Sequence, residues 1–145
     1  MLDPRLSREI IMDNYQYPNN KSLVEDKHYH HKHMASDSCI DDITVQADIR
    51  DGKIEDVRFD GQACTISTAS TSIMTKLLEG KTVEEAKKII DAYFNMIYEK
   101  DFDEDLLEDA VAFQTVGQQA NRINCATIGW KAIRDLVEQS EENHE

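Results

Sequence analysis

No stretch of this 145-residue chain approaches the roughly 20 consecutive apolar residues that a membrane-spanning helix requires. The opening MLDPRLSREI also lacks the basic run and apolar core of an export signal. Both observations predict a cytoplasmic protein with no membrane partner. Positive charge is scarce: 16 Lys and Arg stand against 29 Asp and Glu, a net charge of −13. Such a balance argues against tracking nucleic-acid phosphates or docking on an anionic bilayer. Cysteine is scarce too, and odd in number, with Cys39, Cys64 and Cys125 the only three. Without an export signal this is no disulfide framework, and no C-x-x-C pair offers a zinc knuckle or thioredoxin-type motif. Nor does the chain contain G-x-S-x-G, a Walker loop or a dinucleotide fingerprint.

What is present reads as one domain over residues 1–145, with residues 1–5 and 138–145 as mobile termini. Asp3 and Pro4 open a helix that should end before Tyr17-Pro18, because the proline ring disfavours a helical Tyr17. A polar connection, residues 19–27, follows. Ile43, Val45, Ala47 and Ile49 then alternate with polar residues; Asp51-Gly52 signals a tight turn, and Val57 and Phe59 alternate beyond it. This is a hairpin, and residues 28–34 offer a third strand. From Cys64 the period becomes helical. Ile66, Ala69, Ile73 and Leu77 run up to a stop at Gly80. Thr82 and Glu85 form a capping box ahead of Val83, Ala86, Ile90, Tyr93 and Ile97. Leu106, Ala110 and Phe113 suggest a shorter helix, and Ile123, Ala126, Trp130, Ile133 and Val137 the last one. Strands followed by helices predict an α+β layer, an antiparallel sheet with helices on one face.

Each cysteine stands beside a transition between elements. Cys64 and Cys125 fall near expected helix starts, where backbone N–H groups favour a thiolate. The bland alternative is three small buried side chains. If the three ends converge, three thiolates and the Asp41 carboxylate make a tetrahedral set suited to Zn²⁺, with two negative charges in excess. Arg122, one turn before Cys125, is the candidate cation to offset them. Asp41 could equally face solvent, or exchange roles with the adjacent Asp42.

These residues carry a resemblance. Cys39-Ile40-Asp41, then Cys64-Thr65-Ile66-Ser67 with Ala69-Ser70, then Arg122-Ile123-Asn124-Cys125-Ala126-Thr127 with Trp130 are similar to the three motif blocks of SufU-type proteins. These belong to the IscU/NifU N-terminal superfamily of iron–sulfur cluster assembly. The opening Glu9 to Tyr15 with Pro18 and Asn20 resembles that family's first helix and loop, so the likeness runs from about Leu6 to Val137. The long interval between Cys64 and Cys125, and Asn124 where the IscU branch would place a His, favour the SufU branch.

The resemblance implies a SufE/NifU-like fold, an α+β domain with a three-stranded antiparallel sheet, and a zinc-dependent sulfur acceptor partnered by a SufS-type cysteine desulfurase. Cys39, Asp41, Cys64 and Cys125 would bind Zn²⁺, Cys39 would accept the sulfur and Arg122 would assist. In the family, a His of the desulfurase is thought to replace the acceptor cysteine on zinc, so that the thiolate is freed inside the complex. Downstream scaffold proteins would then receive the sulfur. Two alternatives stand beside this: a scaffold holding iron or an iron–sulfur cluster on the same ligands, and a non-catalytic zinc-stabilised interaction domain. The second is motivated by Ile40, which stands where the family has Gly and would be strained if the loop needs a positive φ.

Three further features admit sharp and bland readings. His28, His30 and His33 could project from one surface as an accessory metal site, or simply be part of a His-rich strand or loop. The seven acidic residues of 99–109 lack the ligand order and central Gly of a calcium loop, so a solvated face is the better reading. The small polar run Ser67 to Ser72 should permit close helix-to-sheet packing rather than supply a nucleophile.

Overall fold

A computed structural model describes residues 2–35 and 40–142. Helix α1, Pro4–Gln16, begins where Asp3 accepts a 2.7 Å hydrogen bond from the Arg5 N–H, and it stops ahead of Tyr17-Pro18. Strands β1 (Tyr29–Ala35), β2 (Asp42–Arg50) and β3 (Lys53–Gln62) form an antiparallel sheet in the order β1-β2-β3. The segment 28–34 is thus largely strand. Asp51 and Gly52 have φ of +50° and +74°, the pair of left-handed residues that a two-residue hairpin needs. Ile43, Val45 and Ala47 of β2, with Ile54, Val57 and Phe59 of β3, are buried on the face that meets the helices.

The connection 19–27 closes the other side. Lys21 bridges to Phe59 beyond the edge of β3. The Gln46 side-chain amide then pairs with both backbone groups of Val24 at 2.9 Å. A sheet edge that would otherwise present bare backbone groups is covered by this route.

Helix α2, Thr65–Leu78, is followed by Gly80 at φ +81°, whose N–H bonds the Ile54 carbonyl at 2.8 Å. Helix α3, Val83–Ile97, has the expected reciprocal capping box between Thr82 and Glu85. Residues 104–118 depart from the expected short α-helix: they form two 3-10 segments, Glu104–Leu106 and Glu108–Gln118. Glu108 has φ +46°, which interrupts any continuous α ladder. Leu107, Ala110, Phe113 and Val116 are buried at intervals of three, the repeat of a 3-10 helix. Helix α4, Ala120–Glu142, lies across β1 and β2 and against α2. Helical structure therefore reaches into both terminal stretches, at Pro4–Arg5 and Glu138–Glu142. Among the described residues no helix is long and apolar enough to cross a membrane.

The polar run of α2 serves a seam between helices rather than the expected helix-to-sheet contact. Ser70 donates to the Ala126 carbonyl at 2.7 Å, and Thr71 lies against Gly129. Ser72 donates to Asn14 of α1 at 2.8 Å. Small side chains allow these helices to approach closely. Trp130 stacks on Tyr93 with ring centroids 3.9 Å apart, and its indole N–H reaches Ser70 Oγ at 3.1 Å.

One pH dependence follows from the sheet. Tyr29 donates to Asp56 Oδ2 at 2.6 Å, and burial together with that carboxylate pushes the phenol up from 10.0 to about 12. Fully buried Tyr93 is shifted in the same direction by burial. The folded state holds these protons more tightly than the unfolded chain. The Tyr29 contribution to stability is therefore complete below pH ~10 and lost as pH rises toward ~12. Urea unfolding should show stability falling across this window, and more gently in Tyr29→Phe; an unaltered slope would exclude the Tyr29 contribution.

Candidate metal centre

Strand alternation decides between the two adjacent aspartates. Asp41 stands two residues before Ile43 and shares its inward face, whereas Asp42 turns outward to His33, with His33 Nε2 and Asp42 Oδ1 2.6 Å apart. Asp41 is 1 % exposed. Its Oδ1 accepts from the Cys64 N–H at 2.8 Å and its Oδ2 from the Ser67 hydroxyl at 2.5 Å. Both donors belong to the start of α2, where the helix dipole favours a negative group.

Cys64 is the N-cap of α2, and its sulfur accepts from the Ser67 N–H at 3.4 Å, the position more often held by a Ser, Thr or Asp oxygen. Cys125 differs from its expected place at a helix start. Because α4 begins at Ala120, Cys125 sits in the second turn and is buried, facing α2. Burial pushes its thiol up, and the neighbouring Cys64 and Asp41 push it further. Cys64 and Cys125 are free thiols.

The ligand atoms of Asp41, Cys64 and Cys125 lie within 4.8 Å of one another. In a tetrahedral zinc site with Zn–S bonds of about 2.3 Å, paired sulfurs are about 3.8 Å apart. The triad is thus within about 1 Å of that spacing. Two thiols and a carboxylate gathered in this way are a donor set that a divalent cation suits, because it favours the thiolate form that burial opposes at Cys125. Cys39, with the rest of residues 36–39, lies outside the described residues. So does the loop on which the expected strain at Ile40 turns; Ile40 itself is 67 % exposed. Arg122 is exposed on the first turn of α4, three residues before Cys125, its N–H bonded to the Gln119 carbonyl at 2.8 Å.

His30 and His33 do not share a surface. His30 pairs across the sheet with Ala47 on the helix-covered face, while His33 pairs with Thr44 on the opposite face. His28 precedes the strand and contacts Asp26 at 2.9 Å. Among the described residues, Asp41, Cys64 and Cys125 are the one grouping of three metal-ligating side chains, so the accessory histidine site is not formed there. The seven acidic residues of 99–109 are all exposed, as a solvated face requires. Ser67 is the residue that sequence reasoning undervalued: its place three residues after an N-cap cysteine was the available signal.

The chain is 35% identical over 137 residues to the zinc-dependent sulfurtransferase SufU of Bacillus subtilis, covering 94% of this chain and 92% of that protein. It is 30% identical over 102 residues to the iron-sulfur cluster assembly scaffold protein IscU of Thermotoga maritima, covering 70% and 72%. A crystal structure of a putative iron-sulfur cluster assembly scaffold protein for the SUF system, from Fervidobacterium islandicum AW-1, superposes with a TM-score of 0.79 at 31% identity. That superposition covers 87% of this chain and 92% of the other. The NifU-like N-terminal domain matches residues 6–144, so the chain that folds this sheet and gathers these thiols belongs to the NifU-like N-terminal domain family.

Proposed function

We propose that this protein works in iron–sulfur cluster assembly as a zinc-dependent sulfur acceptor, taking sulfur onto Cys39 from the persulfide of a SufS-type cysteine desulfurase. The observation that carries the reading is the convergence of Asp41, Cys64 and Cys125 within 4.8 Å, in a chain similar to a named zinc-dependent sulfurtransferase. Cys39 completes the ligand set. It stands two residues from Asp41, a span of at most about 7 Å between Cα atoms. Zinc, when bound, keeps thiolates deprotonated at neutral pH and lowers their nucleophilicity.

The protein's own residues supply the rest. Asp41, Cys64 and Cys125 would hold the zinc together with Cys39, and Cys39, in the sequence between β1 and β2, would be the residue that accepts sulfur. Its thiolate attacks the outer sulfur of the partner's persulfide; a new S–S bond forms on Cys39, the old one breaks, and the partner's cysteine departs as thiolate. Arg122, exposed beside Cys125, offers positive charge to the anionic site. We place this chemistry in the cytoplasm, where thiols remain reduced, with a cluster-assembly scaffold as the downstream recipient.

A second reading is favoured by the similarity to IscU scaffold proteins: the same ligands hold iron or an iron–sulfur cluster. One set of measurements separates the two. Protein purified without added metal is analysed for zinc and iron, incubated with desulfurase and cysteine, then mapped for persulfide by mass spectrometry. Zinc as isolated and a persulfide on Cys39 are expected. No persulfide on Cys39, together with a stable cluster on anaerobic reconstitution that moves to an apo-acceptor, would replace the acceptor with the scaffold.

A further inference from the structure

Ser67 is fully buried at the third position of α2, and it touches every described part of the metal centre. Its backbone N–H points to Cys64 Sγ at 3.4 Å. Its hydroxyl lies 2.5 Å from Asp41 Oδ2 and 2.9 Å from the Cys125 carbonyl. One side chain therefore links the start of β2, the start of α2 and the second turn of α4. A hydroxyl has a single proton, and a carboxylate is the stronger acceptor at the shorter distance, so that proton belongs to Asp41.

The consequence concerns the freedom of Asp41. The Cys64 N–H holds Oδ1 and Ser67 holds Oδ2, so both side-chain torsions of Asp41 are set before any ion arrives. Oδ2 is also the oxygen 4.0 Å from Cys64 Sγ. Fixing it holds that oxygen beside the Cys64 sulfur, within the spacing an oxygen ligand of the same ion would need. Partners that orient a ligand in this way commonly account for 10- to 100-fold in metal affinity.

We infer that Ser67 is a positioning residue of the metal centre, its hydroxyl clamping Asp41 as an oxygen ligand and thereby setting the affinity for zinc. This rests on the reading of Asp41, Cys64 and Cys125 as a zinc site. Ser70 supplies the control. It lies one turn further along the same buried seam, bonded to the Ala126 carbonyl at 2.7 Å and to the Trp130 indole at 3.1 Å, without contact to Asp41 in the hydrogen-bond network.

The test is a zinc competition titration against a chromophoric chelator on the full chain, with melting temperatures of the metal-free proteins. Ser67→Ala is expected to bind zinc about 10- to 100-fold more weakly. Ser70→Ala is expected to melt lower yet bind within about twofold of wild type. Ser67→Thr keeps the hydroxyl and should lose melting temperature from its extra methyl while retaining affinity. In an Asp41→Asn background the Ser67→Ala effect should shrink, because the hydroxyl acts through that carboxylate. Ser67→Ala affinity within twofold of wild type overturns the inference, as does an equal loss in Ser70→Ala. If Ser67→Ala does not fold, a folded Ser67→Thr protein that binds more than tenfold too weakly overturns it equally. A wild-type protein that takes up no zinc defeats the reading of the site itself; normal wild-type binding with no Ser67 effect defeats the clamp alone.

Discussion

Asp41→Ala is expected to bind zinc about 100-fold more weakly than wild type. A structural zinc site with four ligands is worth roughly 10–16 kcal/mol, so one ligand carries about 3 kcal/mol, or a factor of ~100 in affinity. Asp42→Ala should bind within about twofold of wild type. That carboxylate is 61% exposed and engages His33 across the sheet instead of facing the sulfurs. The comparison is a direct measurement of which aspartate serves the metal. Chelator competition gives the affinities. Calorimetry provides an independent check, since the rise in melting temperature on adding zinc scales with affinity and should diminish by several degrees in Asp41→Ala alone. Equal affinities in the two variants would remove Asp41 from the ligand set.

Gly129→Ala is expected to lower stability by about 1–3 kcal/mol or more, and the melting temperature by roughly 3–10 °C. A Cβ added there would lie 2.3 Å from Thr71 Oγ1, 2.8 Å from its Cγ2 and 2.9 Å from its Cβ. Thr71 is fully buried in the middle of α2 and β-branched, so it has little rotamer freedom with which to yield. The helices must part instead. Ser67 with Cys125, Ser70 with Ala126 and Thr71 with Gly129 are successive contacts of one seam, so opening it also separates Cys125 from Cys64. Zinc affinity should fall along with stability. Adding Thr71→Ala removes the two nearest of the three clashing atoms and is expected to recover more than half of the loss; no recovery would place the cause elsewhere.

The features that were legible in the sequence are those set by local chemistry. Asp3-Pro4 starts α1, Asp51-Gly52 turns the hairpin, and Thr82 with Glu85 caps α3, each by interactions within a few residues. The periodic apolar faces of α3 and α4 were equally plain. Residues 104–118 were less so, because Leu106 and Leu107 are adjacent and either could lead an apolar stripe. Only packing against the core shows that Leu107 leads it, at a repeat of three. The histidines looked like a cluster because sequence proximity ignores the alternation of a strand, which sends His30 and His33 to opposite faces. At the candidate metal centre the meeting of Asp41, Cys64 and Cys125 was readable, but the depth of Cys125 was not. Helix α4 starts at Ala120 without an obvious capping residue, so the sequence did not reveal that Cys125 is a full turn inside it.

Trp130 is the only tryptophan in the chain, completely buried, stacked face to face on Tyr93 and tied to the serine that contacts Ala126, the residue after Cys125. A single fluorophore thus lies about a helical turn and a half from the Cys125 thiol, on the same helix. Its emission can be followed without labels, dyes or added chromophores. Any event that shifts α4 against α2, whether ion capture, sulfur loading or docking of another protein, is converted into light at the wavelength of one indole.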